Sequence, residues 1–260
     1  VTALVEEVLF LGSGTSHGVP MIGCDCEVCT SSDPRDRRYR ASVALTLTND
    51  RVIVIDVTPE FRLAAVEHRL ERLDAILLTH AHADHIMGLD DVRRFNDRMK
   101  RQIGCFSSAA TIATVRAAFA HADRDYRGDG WPSLGFEAID APREIAGATV
   151  TPVPLLHGRS EVLGFRIGDF AYCTDCSAIP DASRPLLAGL DLLVLDGLRY
   201  TPHPTHFNVA SALAEIEKLS PRRALLTHIA HQIGHARTSA ELPSGVSLAY
   251  DGLHVRPQAL

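Results

Sequence analysis

The chain has 260 residues, of which 46% are hydrophobic and 22% charged, and a formal charge of −6. That length suits one large domain or two small ones at ~100–200 residues each, and no apolar run approaches the ~18 residues that a membrane span requires. The acidic balance argues against a general nucleic-acid binder, which would carry a basic footprint; small anionic substrates stay open where cations or local arginines neutralise them.

At the N-terminal end, VTALVEEVLFLGSGTSHG sets Glu6 and Glu7 ahead of a short apolar run. A secretory signal carries basic residues there and a longer apolar core, so a cytosolic start is expected. Cys24, Cys26 and Cys29 crowd into GCDCEVC (23–29), and only three more cysteines follow. Such clustering suits metal thiolates better than a disulfide scaffold and points to a reducing, cytoplasmic compartment. EEVLFLG, SVALTLT and RVIVIDV read as strands, the last two joined by an Asn49-Asp50 hairpin turn. In TPEFRLAAVEHRLERL, Thr58 is the expected N-cap and Pro59 the first helical residue. DAILLTH is a buried strand, ADHIMGLDDVRRFNDRMK (83–100) a helix, and SSAATIATVRAAFAHA a serine-capped helix. The loop RDYRGDGWPSLG (124–135) reads as a solvated connector or as a substrate-covering loop. Strands follow at ATVTPVPLL, EVLGFRIG and FAYCTD, then a short helix after Ser183, the strand DLLVLD, the helix NVASALAEIEKL and the strand RALLTH. VSLAYDGLHV (246–255) closes as a hairpin.

AILLTHAHADH and RALLTHIAHQ echo one another: each runs a buried strand into Thr-His with a further histidine soon after. Two similar halves without a linker between them imply one α/β domain over 1–260, two half-sheets face to face with helices outside.

THAHADH holds His80, His82, Asp84 and His85 directly after an apolar strand. His80 and His82 can face one point, Asp84 and His85 an adjacent one, which gives two metal sites. Borderline divalent ions such as Zn²⁺ and Mn²⁺ accept imidazole and carboxylate together, and a pair of them needs a shared carboxylate and further ligands. His157, Asp175 and His228, each at the edge of an apolar strand, are the candidates.

His80-x-His82-x-Asp84-His85 followed by His157, Asp175 and His228 resembles the metallo-β-lactamase superfamily over most of the chain. The resemblance implies an αββα sandwich, one metal on His80, His82 and His157, another on Asp84, His85 and His228, and Asp175 bridging. Asp56 matches the superfamily's early aspartate and would support the ligand loop from behind. With those ligands assigned, His231 is left over, and with Cys24, Cys26 and Cys29 it would complete a Cys₃His structural zinc site; buried free cysteines beside a solvated histidine are the bland alternative. Cys105, Cys173 and Cys176 are assigned to packing.

GTSHGVPMIGCDCEVC together with LLTHIAHQ narrows the resemblance to the phosphodiesterases of the carbon–phosphorus lyase pathway and their relatives. These hydrolyse cyclic phosphodiesters. Relatives of the pyrroloquinoline quinone accessory type share the cysteine loop but depart from HAHADH, and ribonuclease Z proteins carry a basic arm that is not found here. The implied activity is hydrolysis of a small phosphodiester, with a cyclic ribose or nucleotide phosphate among the options, by water activated at two divalent ions (Zn or Mn). Asp84 and His206 would serve catalysis, His206 as general acid or phosphate donor. His203, His17 and His235 are expected at the surface or behind the ligands, His17 in a glycine-rich loop bordering the site. The arginine runs RDRRYR and RRFNDRMKR read as solvated faces. No membrane partner and no stable nucleic-acid complex are expected, and a homodimer is left open. Two other readings stay in view: a non-catalytic accessory protein, and a thioester hydrolase of the glyoxalase II kind.

Overall fold

The computed structural model describes residues 2–257. Strands β1 (Val5–Gly12), β2 (Ser42–Leu47), β3 (Val52–Ile55), β4 (Ala75–Leu77), β5 (Ile103–Ser107) and β6 (Leu134–Ala138) follow one another across a first sheet. Strands β7 (Arg143–Ile145), β8 (Ala148–His157), β9 (Ser160–Ile167), β10 (Phe170–Cys173), β11 (Leu192–Asp196), β12 (Arg223–Thr227) and β13 (Val246–Leu248) build the second in the same stepwise manner. β14 (His254–Val255) returns to the first sheet beside β1.

Both faces of each sheet are buried, which is why the strands read as near-continuous apolar runs. Ile53, Leu77 and Phe10 meet Phe165, Tyr172, Val194 and Leu225 between the sheets. The alternate residues Val54, Ile76 and Leu78 face helices α1 (Phe61–Glu67), α3 (Arg93–Met99) and α4 (Ala109–Ala118), with α2 (Ala83–Ile86) intervening at the strand ends. Leu193, Leu195 and Leu226 of the second sheet face α5 (Val209–Leu219), while α6 (His235–Glu241) lies against β13. This is the four-layer sandwich, helices outside two face-to-face sheets, that the sequence implies. The echoed segments occupy matching places: β4 runs parallel between β3 and β5, and β12 runs parallel between β11 and β13.

Four expectations are corrected. The helix after Asp56 begins at Phe61 with Glu60 as its N-cap, so neither Thr58 nor Pro59 takes its expected place. Thr58 is buried, and the preceding Val57 is held by the next loop: its N–H donates to His85 O at 2.8 Å and its carbonyl accepts from Gly88 N–H at 2.9 Å. The helix expected over 83–100 is broken into α2, a 3₁₀ turn at Leu89–Val92 and α3. Gly88 lies at the break, where a Cβ would come within 2.1 Å of Thr58 O, so the two segments meet backbone to backbone. The closing hairpin is not formed, because β13 pairs with β12 and β14 pairs with β1 in the opposite sheet. Asp251, between them, accepts from Ser13 N–H (2.9 Å), Ser13 Oγ–H (2.7 Å) and Tyr39 N–H (2.6 Å), turning the chain from one sheet to the other. β5 and β6 add to the first sheet where the sequence implies no strand, Leu134 and Gly135 of β6 falling within the expected 124–135 loop.

Among the described residues, no helix is long and apolar enough to cross a membrane.

Candidate metal centre

Strand ends from both sheets converge on one edge of the sandwich. Asp56, after β3, is fully buried in the left-handed region (φ 62°) that few non-glycine residues adopt. Its Oδ1 accepts from Thr79 N–H at 2.8 Å, and its Oδ2 accepts from Thr79 Oγ1–H at 2.8 Å and His85 Nδ1–H at 2.7 Å. With its proton on Asp56, the Thr79 hydroxyl accepts from His80 Nδ1–H at 2.9 Å. His157 Nδ1–H donates to Thr205 O at 2.8 Å. These bonds fix the tautomers and leave the Nε2 lone pairs of His80, His85 and His157 facing a position a cation could occupy, with His82 Nδ1 2.8 Å from Nε2 of His80.

The ligand atoms of His80, His82, His157 and Asp175 lie within 4.8 Å of one another, and so do those of Asp84, His85, Asp175 and His228. Asp175 belongs to both groups. Its Oδ2 lies 3.8 Å from His80 Nε2, whereas its Oδ1 lies 3.4 Å from His85 Nε2 and 3.1 Å from His228 Nε2. Asp175 (φ 51°) and His228 (φ 59°) share the left-handed backbone of Asp56. Each such residue costs on the order of 1–3 kcal/mol, and such costs collect at functional sites.

The donor set fits divalent ions. Nε2 of His85 and Nε2 of His228 are buried with no hydrogen-bond partner, which costs ~1–3 kcal/mol apiece unless a cation takes the lone pairs. Burial pushes His228 down to about 4 and His80 well below its ordinary value, so both are neutral. Burial would raise the Asp84 carboxyl, but the His85 ring beside it, Nε2 at 3.3 Å from Oδ2, outweighs burial and holds the group well below the usual range. Imidazole and carboxylate together suit Zn²⁺ or Mn²⁺.

His206 stands over this group, its ring stacked on His228 with centroids 4.7 Å apart and 12° between planes. Its Nδ1–H donates to Asp196 Oδ2 at 2.7 Å, which turns Nε2 away from the carboxylate. Burial opposes charge on His206, yet the Asp196 bond outweighs it and raises the pKa. Asp196, fully buried at the end of β11, was not foreseen. DLLVLD ends a strand in aspartate as RVIVID does, and that parallel was the available signal.

Cys24, Cys26 and Cys29 surround His231 Nδ1 at 3.3, 3.4 and 3.7 Å. One ring nitrogen can satisfy one thiol by hydrogen bonding, not three. Zn–S of ~2.3 Å and Zn–N of ~2.0–2.1 Å at tetrahedral angles put sulfur and nitrogen ~3.6 Å apart, the spacing found. The Cys29 amide and the neighbouring groups bring the Cys26 thiol down to about 6, favouring the thiolate. Arg38 is a correction to the solvated arginine face: its side chain is fully buried, paired with Asp36 at 2.8 Å, and donates to Ala230 O (3.3 Å) and Ile233 O (2.8 Å). It clamps the His231 loop from behind.

A cavity of about 210 Å³ beside His206 is lined by His17, His203, Arg199, Met21 and Gln232. His17 borders the site as expected. His235 is not at the surface; it is buried against Tyr250, with its backbone N–H donating to Asp36 Oδ1 at 2.8 Å. The 124–135 loop enters the N-terminal end of β6 and packs on Asn96 and Gln102, at the opposite end of the strands from His80, as a connector would.

The sequence profile of the "Beta-lactamase superfamily domain" matches residues 51–229. The crystal structure of a new diphosphatase from the PhnP family superposes with a TM-score of 0.90 at 41% identity, covering 98% of this chain and 97% of that one. An octanoyltransferase of Porphyromonas gingivalis is 35% identical over 249 residues, 94% of this chain; the chain spans about half (50%) of that relative's length. Coenzyme PQQ synthesis protein B of Methylobacterium nodulans is 27% identical over 224 residues, 74% of this chain and 72% of that one.

Proposed function

The chain belongs to the metallo-β-lactamase superfamily, and from that premise we propose that it is a metal-dependent hydrolase that cleaves a small phosphodiester at a dinuclear centre. In this reading His80, His82 and His157 would hold one divalent ion and Asp84, His85 and His228 the other, with Asp175 available to both groups. The observation that carries it is the division of Asp175, Oδ2 toward His80 and Oδ1 toward His85 and His228. When bound, such an ion pair supplies Lewis acidity and lowers the pKa of water towards ~7.

The protein's own part follows from the hydrogen bonds. Asp56 and Thr79 keep His80 and His85 in the ligating tautomer. Asp196 accepts the Nδ1–H of His206 and favours its imidazolium form, so that the Nε2–H proton can pass to the departing alkoxide and leave the neutral ring. The cavity beside His206 then receives the leaving group.

Assaying bis(4-nitrophenyl) phosphate, unactivated diesters, diphosphates, monoesters, thioesters and β-lactams with Zn²⁺- and Mn²⁺-loaded protein tests the reading. Diester turnover should exceed the rest. The neighbour named a diphosphatase favours one second reading, cleavage of a diphosphate linkage at the same centre, and faster diphosphate turnover would replace the diester assignment. Thioester turnover above both would favour the glyoxalase II kind, and no turnover at all in loaded protein the accessory kind.

The same proposal assigns a structural zinc to Cys24, Cys26, Cys29 and His231, giving three metals per chain and one domain over 1–260. Cys26→Ser should lower the metal count by one and reduce thermal stability, because structural zinc contributes directly to folding free energy. Fully loaded wild-type protein with no more than two ions by elemental analysis would contradict it.

A further inference from the structure

A ligating histidine almost always gives its other ring N–H to an outer partner. His80, His85 and His157 have theirs in Thr79, Asp56 and Thr205. His228 lacks one: its Nε2 lies 3.1 Å from Asp175 Oδ1, and its Nδ1 is buried with no hydrogen-bond partner.

On adjacent strands, Tyr172 Oη of β10, Asp196 Oδ1 of β11 and Thr227 Oγ1 of β12 are also buried without a hydrogen-bond partner. Asp196 and Thr227 are register partners, and Tyr172 pairs with Val194 two residues earlier. Tyr172, Val194 and Leu225 all face the core between the sheets, so strand alternation brings Asp196 and Thr227 to the same face. One ligand atom of Asp196 and one of His228 lie within 4.8 Å of each other, close enough for a single water to hydrogen-bond to both residues.

We propose that one buried water joins these groups as the outer partner of His228, with Tyr172 and Thr227 as its positioning residues; this rests on His228 being a metal ligand. The water accepts the Nδ1–H of His228 and donates to Asp196 Oδ1, and the two hydroxyls meet its remaining valences. Buried waters typically make about three (range 2–4) such bonds to groups left unsatisfied by protein. Through this water one carboxylate, Asp196, orients both His206 and His228.

A high-resolution crystal structure of the Zn²⁺-loaded wild-type protein should show an isolated peak within hydrogen-bonding distance of His228 Nδ1 and Asp196 Oδ1. Tyr172→Phe and Thr227→Val each remove one hydroxyl, and each should weaken binding of the second active-site zinc about tenfold in chelator competition. Thr227→Ser should restore it, which separates the hydroxyl from packing. A direct Nδ1–Asp196 bond with no density between them, or unchanged zinc affinity in both variants, overturns the proposal. Density over a wild-type centre that takes up no metal would instead remove the metal-centre reading, and with it the role given to the water.

Discussion

Asp175→Ala is expected to lower diester turnover by more than about 10²-fold while the fold survives. Losing a group that merely orients a ligand costs ~10–100-fold, and Asp175 is asked to do more, since its two oxygens face both ligand groups. Alanine at φ 51° adds backbone strain, on the order of 1 kcal/mol, so Asp175→Asn is the cleaner companion: asparagine tolerates that conformation and removes only the charge. Both variants should keep the circular dichroism of the parent and lose active-site metal, with the Cys₃His zinc retained. Asp84→Ala should behave likewise for one ion. More than about a tenth of wild-type activity in both Asp84→Ala and Asp175→Ala, set against that same scale, would defeat the dinuclear assignment.

For His206→Ala, the expected result is a loss that grows with the basicity of the leaving group. A general acid contributes ~10²–10⁴-fold where the departing alkoxide is strongly basic and far less where nitrophenolate leaves unaided. The ratio of wild-type to variant turnover should therefore rise across alcohols of increasing pKa, with metal content unchanged. Asp196→Asn should reproduce the trend more weakly, because it disturbs the Nδ1 bond and leaves the ring in place. A flat ratio would reduce His206 to a phosphate donor, and a diphosphate substrate, whose leaving group is already acidic, would flatten it too.

The clustering of the candidate ligands was legible because their chemistry is dense in the sequence: four imidazoles and carboxylates in HAHADH, and polar residues ending apolar strands at His157, Asp175 and His228. The sandwich was legible from the alternation of apolar runs and the repeated Leu-Leu-Thr-His. What escaped was decided by contacts between distant segments. No periodicity announces that Gly88 must touch Thr58 O, so a continuous helix was the natural reading of 83–100. VSLAYDGLHV carries two strand patterns and no record of which sheet each joins; Ser13 and Tyr39, which turn the chain at Asp251, lie more than two hundred residues earlier. Arg38 looked solvated among charged neighbours, although its partners are carbonyls of the His231 loop. Asp196 was readable and was overlooked, since the comparison of RVIVID with DLLVLD needs only the sequence.

The Cys₃His zinc site proposed above also sets a timetable for synthesis. His231 follows Cys24 by 207 residues, so a ribosome adding ~5–20 residues per second leaves the three thiols without their fourth ligand for ~10–40 s. During that interval the cysteine loop can hold zinc only weakly or stay open to oxidants, and the Arg38 clamp on Ala230 and Ile233 cannot form. Zinc supply and thiol protection during translation should therefore govern the yield of native protein more than its final stability does, and added zinc in a cell-free system should raise that yield when supplied before the chain is released rather than after.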